Sequence, residues 1–244
     1  MRIAYINAMI SEPIGEAYKS GLERALHRAD RDIALVSMDL HYGRAFSPRL
    51  MRRWLDSQNI QAVVLSGSEK NTTDRDDPWL QDYYSGLRDL LDYNDPQNWV
   101  GPPWPVLGIC FGHQALGCVL GGDTARFKKR LGLIRCQVLP SAKNHPFFKG
   151  ALPGSEAHCM AIHSDHVIRL PPDFVPVATS QECLIEAMAH QQWPIFSFQA
   201  HPEVDQGILR VPEEARDWSG VPESDFGKSD GPKILEAFCQ YLKA

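Results

Sequence analysis

The strongest constraint on the fold is an alternation that runs through the first half of the chain. Short apolar runs alternate with segments of helical spacing. Ile3 to Met9 reads as a strand, and Ile14 to Ala29 follows with Ile14, Tyr18, Leu22 and Leu26 at helical intervals. Ile33 to Met38 reads as a second strand, followed by a polar turn with Gly43. Pro48 to Ser57 suits a helix with its proline near the start. Ile60 to Leu65 reads as a third strand, ending in Ser66-Gly67-Ser68. The polar loop Asn71 to Asp77 then caps a helix that starts at Pro78. Such alternation predicts an α/β fold, a largely parallel sheet with helices on both faces. Ligands of such sheets bind outside the C-terminal strand ends.

After Gly122 the pattern changes. Leu133 to Leu139, His158 to Ile162, Val175 to Ala178 and Leu184 to Ala189 read as short strands with turns between them. They predict a small antiparallel extension beside the main sheet. Asn94 to Pro105 is rich in Pro and Trp and reads as a rigid surface loop, with a partner contact as the alternative. Gln206 to Gly231 is polar and reads as a long loop that covers a site or binds a partner. Lys233 to Lys243 reads as an amphipathic closing helix. The 244 residues fit one domain, 1–244.

The candidate nucleophile lies at Gly108-Ile109-Cys110-Phe111-Gly112-His113-Gln114. An apolar strand ends there and a short helix begins, so Cys110 sits on an abrupt turn between glycines. The new helix points free N–H groups at the sulfur and favours the thiolate. The alternative is a small buried hydrophobe in a Gly-rich turn. A base is offered downstream, where an apolar run from Trp193 to Ala200 ends in His201-Pro202-Glu203. In an extended segment, residues two apart share a face, so Glu203 can orient one nitrogen of His201 and leave the other for the thiol. His158, Cys159, His163, Asp165 and His166 also admit a metal-ligand reading. The paired spacing of structural zinc sites is absent, and no metal is expected. His113 reads as a packing residue.

Gly108 to Gln114, together with Gln199-Ala200-His201-Pro202-Glu203, resembles the class I, triad-type glutamine amidotransferases. The likeness runs from Arg2 to about Glu203. Ser66-Gly67-Ser68 and His163-Ser164-Asp165-His166-Val167 share it, and they tilt toward stand-alone relatives that include the γ-glutamyl peptidases. The resemblance implies a flavodoxin-like fold and a catalytic triad of Cys110, His201 and Glu203. It implies an oxyanion hole from the backbone N–H of Phe111 and Ser68, and substrate contacts at Gly67, Gln114, Ser164 and Asp165. The last two match a loop whose main chain holds the amino-acid end of glutamine. The family often has Ser-Gly-Gly-Pro where this chain has Ser66-Gly67-Ser68-Glu69, so the loop tolerates Ser68 only if its φ is negative. The implied reaction is hydrolysis of a γ-glutamyl amide through a thioester, with no cofactor. Its substrate is glutamine or a γ-glutamyl peptide, and a separate synthase is a possible partner. A non-catalytic binding module on the same fold is the third reading.

Composition narrows the classes. The net charge is −5, and the one basic block, Lys128-Lys129-Arg130, reads as a solvated loop, so no nucleic acid is expected. No run approaches the length of a membrane span. The N-terminus enters a strand directly, so no signal peptide is expected. Six scattered cysteines suit free thiols in a cytoplasmic protein.

Overall fold

The computed structural model describes residues 1–40, 48–211 and 218–244. The turn expected at Gly43 and part of the loop 206–231 lie outside the described residues. Among the described residues, nine strands form one sheet: β1 (Arg2–Asn7), β2 (Ala34–Asp39), β3 (Ala62–Leu65), β4 (Val106–Ile109), β5 (Asp123–Val138), β6 (Glu156–Arg169), β7 (Phe174–Thr179), β8 (Ala187–His190) and β9 (Ile195–Phe198). Their order is β2-β1-β3-β4-β9-β8-β7-β5-β6. The first five are parallel neighbours, with Ile3 opposite Ala62, Val63 opposite Val106 and Val106 opposite Ile195. From β9 onward the pairing is antiparallel. The expected architecture, a mostly parallel α/β sheet with an antiparallel extension, is the one found.

β3, β4 and β9 are buried along their whole length, as strands covered on both faces must be. One face packs on α1 (Glu12–Ala29) and α8 (Gly231–Lys243), through Leu22, Leu26, Ile234 and Phe238. The other face meets α2 (Pro48–Ser57), α3 (Pro78–Leu91) and α4 (Phe111–Val119), through Met51, Leu87, Phe111 and Leu116. The loop before α3 caps it as expected: Asp77 accepts from the Trp79 N–H at 3.0 Å. Three further helices are short, α5 (Pro140–Asn144), α6 (Phe148–Ala151) and α7 (Glu223–Phe226).

The second half differs from expectation in strand length. β5 and β6 are long, and they pair from Asp123 opposite Arg169 to Gln137 opposite Glu156. The basic block 128–130 and the pair Ser164-Asp165, both read as loops, lie on these strands. A polar sequence is tolerated there because much of β5 faces solvent. Between Arg126 and Arg130 the register slips, so Phe127, Lys128 and Lys129 bulge from the ladder opposite Ser164. Arg130 is not solvated: it is buried against Glu186 at 2.5 Å.

Candidate functional site

β4 delivers Cys110 to the sheet's C-terminal edge with φ 49° and ψ −101°, a strained backbone for a non-glycine residue. The Cys110 N–H donates to the Phe198 carbonyl at 2.8 Å, which ties the turn to the end of β9. The flanking glycines are needed for close packing. A Cβ on Gly112 would lie 2.6 Å from the Leu65 carbonyl oxygen, and one on Gly108 would lie 2.6 Å from Leu116. Cys110 sits at the N-terminal end of α4, as the sequence implied, and it is buried. Beneath it, Trp79 stacks on Tyr83, and both rings touch Phe111.

His201 and Glu203 follow β9. The His201 N–H donates to the Met160 carbonyl of β6 at 2.7 Å, which brings the antiparallel extension against the site. His201 Nδ1 and Glu203 Oε1 are 2.8 Å apart and buried. Burial alone pulls the His201 pKa down. The Cys110 thiolate and the Glu203 carboxylate outweigh it and raise the imidazolium to about 10. The raised value means that protonation of His201 favours the folded state, a contribution that fades as pH rises through about 10. We expect an NMR titration of the His201 ring to run well above 6.5. It should drop in Cys110→Ala, which removes the larger of the two raising charges. An unchanged midpoint in that variant would contradict the pairing.

Three contacts that local spacing does not reveal hold this turn. α1 runs so close that a Cβ on Gly21 would lie 2.0 Å from the Glu203 carbonyl oxygen. One turn later, Arg24 grips Asp205 with two hydrogen bonds of 2.9 and 2.6 Å. Tyr18 meets the His201 ring edge-on at 5.0 Å and accepts from the Trp218 indole N–H at 2.9 Å. Trp218 lies in the described part of the segment 206–231 and reaches the site, with its ring edge-on to His201 at 6.2 Å.

The Ser66-Gly67-Ser68 loop is fastened to the end of β1. Ser66 Oγ accepts from the Ala8 N–H at 2.8 Å, and Ser68 Oγ donates to the Ala8 carbonyl at 2.7 Å. A Cβ on Gly67 would lie 2.7 Å from His201 Cε1. Ser68 is not among the residues of positive φ, so a serine fits there without backbone strain. Sequence reasoning missed Glu69. Its carboxylate accepts from the Ile10 and Ser11 N–H groups at 2.7 and 3.0 Å, at the start of α1.

The other wall carries the residues expected to hold the substrate. Gln114 Nε2 donates to the Asp165 carbonyl at 2.7 Å. The Asp165 carboxylate takes the Thr73 N–H at 2.9 Å, the Thr73 hydroxyl at 2.8 Å and Arg126 Nε at 3.1 Å. Its side chain thus braces the loop before α3 rather than facing a ligand. Ser164 and Asp165, expected in a loop, belong to β6, where Ser164 lines the cavity opposite the bulge. His163 is held neutral: burial and the neighbouring His166 and Arg130 push its pKa to about 2. Burial pushes His113 to about 3, and its Nδ1 pairs with Ser197 Oγ at 2.9 Å, a packing role. Among the described residues, no group of three or more His, Cys, Asp or Glu is placed to hold a metal ion.

Cys110 and His201 open into a cavity of about 220 Å³, lined also by Met9, Tyr18, Ser68, Gln114 and Ser164. That volume lies below the ≈ 300–1,000 Å³ of clefts for drug-sized ligands. The site joins a buried thiol, an imidazole paired with a carboxylate, and backbone N–H groups at a helix start, an arrangement that can carry acyl transfer.

The family model described as glutamine amidotransferase class-I matches residues 15–210. A glutamine-hydrolyzing GMP synthase subunit from Pyrococcus abyssi is 41% identical over 101 residues, which cover 41% of this chain and 51% of that protein. Glutamine-hydrolyzing GMP synthase of Sulfurimonas denitrificans is 29% identical over 178 residues, 69% of this chain and 30% of that protein. The chain spans about half the length of the GMP synthase subunits it matches. Among solved structures, a glutamine amidotransferase from Thermotoga maritima superimposes with a TM-score of 0.71 at 18% identity, covering 100% of this chain and 99% of that one. A putative GMP synthase subunit from Thermoplasma acidophilum superimposes with a TM-score of 0.65 at 21% identity, covering 100% and 94%. These two likenesses show the fold. Among the described residues, no helix is long and apolar enough to cross a membrane.

Proposed function

The chain belongs to the class-I glutamine amidotransferase family, and on that premise we propose that it is a cysteine-dependent glutaminase that supplies ammonia to a separate synthase. The observation that carries this reading is the 2.8 Å His201–Glu203 pair beside the strained Cys110 elbow, with Cys110 and His201 lining one cavity. His201 takes the Cys110 proton, and the thiolate attacks the γ-carbonyl carbon of glutamine. The backbone N–H groups of Phe111 and Ser68 receive the charge that develops on the carbonyl oxygen. The tetrahedral intermediate collapses as His201 returns its proton to the leaving nitrogen, and ammonia departs. Water, activated by His201, then cleaves the γ-glutamyl thioester to glutamate and restores Cys110.

On this reading Glu203 orients the imidazole, Gly67 leaves room for its ring, and the main chain at Ser164 and Asp165 holds the amino-acid end of glutamine beside Gln114. The nine described strands join one sheet, which supports residues 1–244 as a single catalytic domain. Several relatives are named as one subunit of a GMP synthase, which supports a synthase on a separate chain. The names of the relatives, which are glutamine-hydrolyzing, favour glutamine over a glutathione-like peptide.

The test compares ammonia released from glutamine with amine released from γ-glutamyl dipeptides and glutathione, with and without the synthetase component of a GMP synthase. We expect glutamine to be the preferred substrate. A preference for the peptides moves the assignment to a γ-glutamyl peptidase. No turnover under any condition moves it to a binding module.

A further inference from the structure

Gln199 lies between the end of β9 and His201, with no exposed surface. Among the described residues its side chain makes one hydrogen bond: Nε2 approaches the Cys110 sulfur at 3.9 Å. Its Oε1 is buried without a partner among the same residues. A buried amide left with an empty acceptor is a cost to the fold, and an apolar side chain of the same length avoids it. Packing therefore gives no reason for an amide here. The sulfur's surroundings do. On one side the Ile162 carbonyl accepts from the Cys110 thiol at 3.7 Å, a contact that favours the protonated form. A thiolate loses that bond and meets the carbonyl dipole end-on. Gln199 Nε2 is a donor, and it offers the thiolate what the Ile162 carbonyl cannot.

We propose that Gln199 is a further catalytic residue, whose amide N–H holds the Cys110 thiolate that the Ile162 carbonyl disfavours. The proposal rests on Cys110 being the nucleophile. In the reaction cycle the N–H bonds the sulfur while it is charged, before attack and again as the thioester is cleaved. No covalent change occurs at Gln199.

Gln199→Met keeps the length and removes both polar atoms. Gln199→Glu keeps the shape and replaces the donor with a carboxyl. The readout is the pH profile of Cys110 alkylation by iodoacetamide, followed on the Cys110 peptide, with the melting temperature measured alongside. A lost hydrogen bond to a charged group raises the alkylation midpoint by about one pH unit and slows the reaction at neutral pH by about tenfold. We expect that shift in Gln199→Met, a larger one in Gln199→Glu, and no loss of melting temperature in Gln199→Met. A profile in Gln199→Met that overlays the unmodified protein overturns the proposal. So does a lowered melting temperature with an unchanged midpoint, which marks a structural amide. A Cys110 that is no faster than the other five cysteines in the unmodified protein fails the nucleophile reading itself, before the variants are compared.

Discussion

Replacing Cys110 with Ala should lower glutamine hydrolysis by at least about 10⁴-fold while the protein stays folded. The change removes one sulfur from a buried site, and the elbow is held by contacts the sulfur does not make. The Cys110 N–H still reaches the Phe198 carbonyl, and Gly108 and Gly112 still pack on Leu116 and Leu65. Glutamine should still bind, because the residues proposed to hold its amino-acid end lie on β6 and α4. A steady-state ammonia assay, with circular dichroism and a binding isotherm on the same sample, separates these effects. Substantial remaining turnover would remove Cys110 from the mechanism.

The second large effect is expected at a residue that touches neither substrate nor nucleophile. Gly21→Ala places a methyl group 2.0 Å from the Glu203 carbonyl oxygen, and backbone cannot be pushed aside as a flexible side chain can. Either α1 retreats from the sheet or the turn carrying His201 and Glu203 moves. Overpacking of this kind costs about 1–3 kcal/mol, offset in part by about 1 kcal/mol of better helix propensity for Ala. The change in stability is therefore small, whereas a misplacement near 1 Å in a catalytic group costs about 100-fold in rate. We expect kcat to fall on that order, with KM less affected, because α1 faces His201 rather than the Gln114 wall. A variant with full activity would show that the turn adapts, and that the Arg24–Asp205 bonds suffice to hold it.

The two halves of the molecule differ in how much of them could be read in advance. The helix at Pro48–Ser57 and the strands ending at Leu65 and Ile109 were legible because their periodicity is local, and they lead the fold to its binding edge. The elbow was legible for the same reason: Gly-x-Cys-x-Gly between a strand and a helix describes its own geometry. β5 and β6 were not, since 128–130 and 164–165 look like loops, and only the pairing of the residues around them places them on strands. Roles created by long-range packing left little local trace. Gly21 is one glycine in an amphipathic helix, Tyr18 reads as core, and Glu69 reads as loop charge. Only the folded chain sets them against Glu203, His201 and the start of α1. Glu69 was the most nearly legible, because an acidic residue near a helix start has a known use.

If one sulfur carries the chemistry, a chloroketone analogue of glutamine should find it, because the analogue must occupy the glutamine site before it alkylates. After reaction, peptide mass spectrometry should find the label on Cys110 and on none of Cys118, Cys136, Cys159, Cys183 or Cys239. Ammonia release should fall in proportion to labelling, and excess glutamine should protect both. Label on another cysteine, or activity that survives complete labelling of Cys110, would contradict the proposed role of that sulfur.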